Sequence, residues 1–263
     1  MFCKIANINI GIENNTKKYI KQHIWNKFML NNCNEHKACC ISIEENIKNI
    51  HGISYTKLNE SMHHFSQINS NIMLATEDWS KIKLIFNENK IEDFNIFLIQ
   101  AFYTHAVQRH MIQLHSSLIN YREKGILFLG PSGIGKTTQA ELWNKYRDAL
   151  IINGDMVFVQ ETEDCFLGWG TPWHGSSPYC ENASVPIHAM IVLKQSPDNS
   201  IRELTGFEKV TTVSNSVFYP QWLENGMELC LETLDHLLTK VPVYELSCRP
   251  DEEAVTLTEQ FIF

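Results

Sequence analysis

Ile126-Leu-Phe-Leu-Gly130-Pro-Ser-Gly133-Ile-Gly135-Lys136-Thr137-Thr138 is the stretch whose reading decides the fold. Four apolar residues with the length of a buried strand run into G-x-x-x-x-G-K-[ST], and Lys136 to Arg147 reads as a helix. Strand, glycine-rich loop and helix in this order form the phosphate-binding loop of nucleotide-binding α/β proteins. The glycines let successive backbone N–H groups turn toward one anion. The helix N-terminus adds roughly half a positive charge. The expected nucleotide-binding set is Gly130, Ser132, Gly133, Ile134, Gly135, Lys136, Thr137 and Thr138. Lys136 is expected at the β- and γ-phosphates, and the Thr137 hydroxyl on Mg²⁺.

Downstream of the loop, Leu150-Ile-Ile-Asn-Gly-Asp155 places an acid at the end of an apolar strand, nineteen positions after Lys136. Most phosphate-loop ATPases and GTPases carry their metal-associated acid much further on. Asp155 therefore reads either as that acid or as an exposed turn residue after Asn-Gly. Gly168-Trp-Gly-Thr-Pro-Trp-His174-Gly175 follows, and it reads as a shaped loop. Trp173 and His174 are candidates for contact with substrate or nucleotide, against the plainer reading of a rigid turn capping the core.

Upstream, Met111–Ile119 and Gly125–Leu129 read as two strands joined by a polar turn. A helix is expected from Glu92 to about Arg109, with Phe94, Phe97, Leu98, Ala101, Phe102 and His105 on one stripe. His105 there reads as a core histidine. After the loop, strands are expected at 149–153, 157–161, 166–170, 187–194, 200–204 and 243–248. Helices are expected at 224–240 and from Pro250, which is followed by acids suited to a helix start. In the first ninety residues Phe2–Ile12, Cys39–Glu44 and Asn71–Phe86 read as strands, the last with a turn at Glu77-Asp78. Lys17–Met29 reads as a short helix. This gives an α/β chain in two parts, a small α+β region over 1–90 and a phosphate-loop domain over 91–263.

Composition fits a globular protein: 44% hydrophobic, 20% charged, with 22 basic against 30 acidic residues and a net charge of −8. Such a balance argues against a disordered chain and against nucleic-acid binding through a broad basic surface. The longest uncharged run, 94–108, is too short and too polar to span a bilayer. With no export signal before the strand at the start, a cytoplasmic protein with no membrane partner is expected. The eight cysteines then read as reduced thiols. The cluster Cys33, His36, Cys39 and Cys40 reads as free thiols rather than a zinc site, because Cys39 and Cys40 begin an alternating strand and point to opposite faces.

Leu114-His115-Ser116-Ser117 running into Gly-Pro-Ser-Gly-Ile-Gly-Lys-Thr, the closely following Asp155, Gly-Thr-Pro-Trp173 and the ending Val243-Tyr-Glu-Leu-Ser-Cys-Arg-Pro-Asp-Glu-Glu-Ala-Val together resemble the catalytic domain of HPr kinase/phosphorylase and its smaller relatives. That domain is itself similar to the nucleotide-binding part of ATP-dependent phosphoenolpyruvate carboxykinase. The resemblance covers about residues 90 to 263. It implies an α/β phosphate-loop core with a mixed sheet and Mg²⁺-dependent transfer of the ATP γ-phosphate to a serine hydroxyl of a protein or peptide. ATP and Mg²⁺ are the implied cofactors; HPr kinase is itself an oligomer, and the sequence leaves open whether this chain forms a homo-oligomer. Carried over, Lys136 and Asp155 are catalytic, and Thr137 and Asp155 hold the metal. The family often has two adjacent acids, whereas Gly154 precedes Asp155 here, so either one carboxylate serves alone or another group assists, with His174 and His115 as the candidates. Within this reading the alternatives are a small-molecule kinase and an ATP-binding module without transfer.

Overall fold

The computed structural model describes residues 1–13, 22–30, 36–45, 62–86 and 91–263. The chain is mixed α and β, with six helices among the described residues and two mixed sheets. It divides into two compact units, Met1–Ala106 and Val107–Phe263. None of the described helices is long and apolar enough to cross a membrane.

In the first unit β1 (Phe2–Ile5), β2 (Ile8–Ile12), α1 (Gln22–Trp25), β3 (Met29–Leu30), β4 (Cys39–Glu45), β5 (His64–Ile68), β6 (Asn71–Ala75) and β7 (Lys81–Phe86) are followed by the helix α2 (Ile91–Val107). The seven strands form one sheet in the order β3-β1-β2-β4-β7-β6-β5. β2–β4 and β4–β7 are parallel pairs, and the others are antiparallel. The expected single strand over 2–12 is two strands. Ala6 and Asn7 have φ of 44° and 62°, and left-handed residues of this kind are what a two-residue hairpin loop needs. Alternation continues across so short a turn, which hides it from a period-two reading. β5 was not expected. The start of the expected helix at Lys17 and the thiol of Cys33 lie outside the described residues.

The expected boundary at residue 90 falls sixteen residues before the observed one. Contacts within α2 give the reason. Buried Asp93 in its first turn accepts hydrogen bonds from Asn69 Nδ2 (3.0 Å) and Asn71 Nδ2 (2.7 Å) at the β5–β6 turn. Phe94 and Phe97 pack on Phe86 of β7. His105 Nε2 lies 3.2 Å from the Trp79 carbonyl oxygen. The helix is thus built into the first unit.

The second unit runs β8 (Met111–Tyr121), β9 (Lys124–Leu129), α3 (Lys136–Arg147), β10 (Leu150–Asn153), β11 (Met156–Glu161), β12 (Phe166–Trp169), β13 (Ser184–Gln195), β14 (Ser200–Glu203), α4 (Gly206–Ser214), β15 (Val217–Phe218), α5 (Gly226–Lys240), β16 (Val243–Cys248) and α6 (Glu252–Ile262). Two long strands organise it. The first half of β8 pairs with β11 and β15, and its second half with β9 and β10. β13 begins beside β12 and continues between β9 and β16, parallel to both. The carboxyl ends of β9, β13 and β16 therefore lie side by side. α3 and α6 pack on this part of the sheet through Ala140, Trp143, Ala254, Val255 and Ile262, all buried. Glu259 of α6 accepts from Tyr121 Oη (2.6 Å) and pairs with Arg147 at the end of α3.

Candidate functional site

The glycine-rich loop leaves the carboxyl end of β9 and enters α3, and its conformation explains its glycines. Gly130, Gly133 and Gly135 have φ of 135°, 79° and 116°, where L side chains are strained. A Cβ at Gly133 or Gly135 would meet nothing within 4 Å, so the backbone dihedral alone requires glycine there. α3 opens from left-handed Gly135 with no capping side chain and no acid in its first turn. Its leading amides are thus left to an external acceptor. Lys136 is buried, and its Nζ folds back to donate to the carbonyls of Gly130 (3.0 Å) and Pro131 (3.1 Å). Burial pulls its pKa down, and the charge of Asp155 opposes that shift. Buried Ser117 of β8 donates to the Lys136 carbonyl (3.0 Å), pinning the helix start to the sheet.

Asp155 lies in the turn between β10 and β11. The turn is made by Asn153, fully buried, whose Oδ1 accepts from the backbone N–H of Asp155 and Met156, both at 2.9 Å. This is an Asx-type turn. The amide's other end donates to the carbonyls of Thr171 and Trp173, both at 3.1 Å, so one side chain ties the turn to the 171–175 loop. Thr137 Oγ1 donates to the Gly154 carbonyl (3.2 Å), tying the same turn to the start of α3. His115 Nε2 stands 3.1 Å from Asp155 Oδ1. The His115 hydrogen bond holds the Asp155 carboxyl below its ordinary range, burial opposes this, and the charges of His115, Lys136 and His174 lower it further. His174 is fixed through Nδ1 to the Ser177 carbonyl. Gly175 passes so close that a Cβ there would lie 2.4 Å from Asp155 Oδ2.

The residue before Asp155 is glycine for a steric reason. A Cβ on Gly154 would lie 1.8 Å from Ser177 Oγ and 2.4 Å from Ser177 Cβ. Ser177, itself buried, fills the space a second acid at 154 would need. Gly154→Ala is expected to cost about 1–3 kcal/mol, the usual range for overpacking. Ser177→Gly in the same chain should restore most of it, because the next atom in line, the Ser177 Cα, is 3.9 Å away. Urea unfolding of both single variants and the double variant checks this, and strictly additive losses would contradict it.

On the other side of the loop a cleft of about 530 Å³ opens among Gly133, Thr138, Gln139, Gln195, Cys248 and Arg249. It lies at the carboxyl ends of β9, β13 and β16, the usual ligand position in open α/β sheets. Half-buried Ile134 lines the same cleft while packing against the buried cluster, and its carbonyl accepts from Gln195 Nε2 (3.4 Å). Ser132 is exposed at the tip of the loop.

Lys136, Thr137, Asp155 and His174 are thus gathered around the start of α3 together with His115, while Gly133, Gly135 and Thr138 border the cleft. Asn153, Thr171 and Ser177, which shape the site, were not anticipated. An Asn-Gly after an apolar strand is the signal for Asn153, whereas nothing local marks Ser177. Gln139 was also not anticipated. It is one turn into the helix and reads as an ordinary helix-forming residue.

The family model for SynChlorMet cassette protein ScmC matches residues 85–251. Among solved structures, the chain is similar to the HPr(Ser) kinase/phosphatase from Coxiella burnetii, with 12% identity and a TM-score of 0.35 over 57% of this chain and 95% of that one. No curated protein matches the sequence. The chain belongs to the SynChlorMet cassette protein ScmC family.

Proposed function

We propose that this ScmC-family chain is an ATP-dependent phosphotransferase that moves the γ-phosphoryl group to a serine hydroxyl of a protein or peptide. The observation that carries the reading is the convergence of a glycine-rich helix start, buried Lys136, Thr137 and the His115-bound Asp155 on one site. The donor set fits a divalent cation of the Mg²⁺ type, since the hydroxyl of Thr137 and the carboxylate of Asp155 are hard oxygen ligands joined through the Gly154 link. When bound, such a cation would neutralise the negative charge of the phosphates.

In this reading the loop amides and Lys136 hold the phosphates, and Lys136 exchanges its two carbonyl partners for phosphate oxygens. The acceptor oxygen forms a bond to the γ-phosphorus as the bond to the β,γ-bridging oxygen breaks. ADP leaves with that electron pair. The hydroxyl proton passes to the Asp155 carboxylate, which His115 Nε2 orients. With residue 154 limited to glycine, Asp155 is the carboxylate of this turn, and His174 is the neighbouring group for the acceptor side.

The test incubates the full chain with γ-labelled ATP, Mg²⁺ and serine peptides beside their alanine counterparts. Label on the serine peptides, lost on chelation of Mg²⁺, is expected. Tight ATP binding without turnover on any acceptor would make the chain a nucleotide-binding module, and label on small hydroxyl compounds alone would make it a small-molecule kinase.

A further inference from the structure

Gln139 carries an inference that rests on the nucleotide-binding reading above and deepens it. The residue lines the cleft beside the loop and is only 3% exposed. Its amide is anchored at one end, Nε2 donating to Cys248 Sγ at 3.2 Å. The other end, Oε1, is buried without a hydrogen-bond partner. A buried acceptor with nothing to accept costs free energy until a donor arrives. The rest of the cleft narrows the choice of donor. One end is Gly133, Gly135 and Thr138, where phosphates would leave the loop, and the far end is Pro197, Arg249 and Pro250. The Arg249 guanidinium is already engaged by Asp251, Glu253 and the Pro197 carbonyl, which leaves exposed Lys194 as the other cation of the lining. A volume of about 530 Å³ suits a nucleoside.

We infer that this cleft takes the base of the nucleotide and that Gln139 Oε1 accepts a hydrogen bond from an exocyclic amino group, selecting a 6-aminopurine over a 6-oxopurine. Gln139 is a specificity residue in this scheme and takes no part in transfer.

The experiment measures binding of ATP, ITP and inorganic tripolyphosphate to the full chain in Mg²⁺, for wild type, Gln139→Leu and Lys136→Ala. ITP keeps the purine and the phosphates but lacks the amino group. Wild type is expected to bind ATP about tenfold more tightly than ITP, the worth of one hydrogen bond of ~1.4 kcal/mol. Gln139→Leu should bind ATP as weakly as wild type binds ITP and leave tripolyphosphate unchanged, whereas Lys136→Ala should weaken all three. Equal affinity of wild type for ATP and ITP overturns the inference without needing a variant. Preference for ITP overturns it too, since the amide would then present its NH₂ to the base. If none of the three binds, the nucleotide reading itself fails.

Discussion

Lys136→Ala is expected to weaken Mg-ATP binding by about 3 kcal/mol or more, roughly a hundredfold in Kd, and to remove turnover. Lys136 is the one buried cation of the site, and its burial already pulls the ammonium's pKa down. Its two present partners are backbone carbonyls of its own loop. Those are neutral acceptors, and a triphosphate offers charged ones at the same place. Charge-assisted hydrogen bonds are roughly twice as strong as neutral ones, so the exchange favours bound nucleotide. Alanine deletes the cation and leaves the helix start pinned, because the hydrogen bond that the Ser117 hydroxyl donates to the residue 136 carbonyl does not depend on the side chain at 136. Titration calorimetry with ATP reads the loss, and a thermal melt confirms that the fold survives. Wild-type affinity in Lys136→Ala would remove the basis of the nucleotide reading.

What the sequence made legible was the part of the site built from neighbours in the chain. Apolar Ile126–Leu129, three glycines and Lys-Thr fall in a single run, and they appear as strand, left-handed turns and helix start. Val243–Cys248 and the helix after Pro250 were readable for the same reason, since each carries its own period and start signal. The remainder depends on residues far apart in sequence. Ser177 makes Gly154 obligatory, and Cys248 anchors Gln139 across more than a hundred residues. α4 and β15 were missed. The α4 stretch, Gly206–Ser214, mixes Gly, Thr and Val among its charges, with a single fully buried residue, Val213, to mark a core face. β15 is two residues long, and its strand character comes from pairing with Leu114 and Gln113 of β8 rather than from any pattern of its own. Assigning α2 to the second unit failed because its periodicity shows an apolar face but does not say which sheet covers it.

Asp155→Asn separates holding the nucleotide from using it. The substitution keeps size and leaves the Asn153 turn intact, since that turn bonds the backbone N–H of residues 155 and 156 rather than the carboxylate. It deletes the charge that His115, Lys136 and His174 all face. Turnover is expected to fall by ~10²-fold or more, as loss of a proton acceptor typically does. ATP affinity should change far less than in Lys136→Ala, because the loop amides and the ammonium remain. The pH dependence supplies a second readout. An unfolded aspartate titrates near 3.9, and the folded Asp155 lies below its ordinary value because His115 favours the ionised form. The stabilisation from this group is therefore fully present above the unfolded value. It is lost as pH falls through the lower folded one. Wild type should be the more stable of the two by urea unfolding at pH 7, and the gap should close below about pH 4. A gap that is flat with pH would detach Asp155 from His115 in solution. An Asp155→Asn chain with wild-type turnover would reduce Asp155 to a turn residue, leaving proton acceptance to His174 or His115.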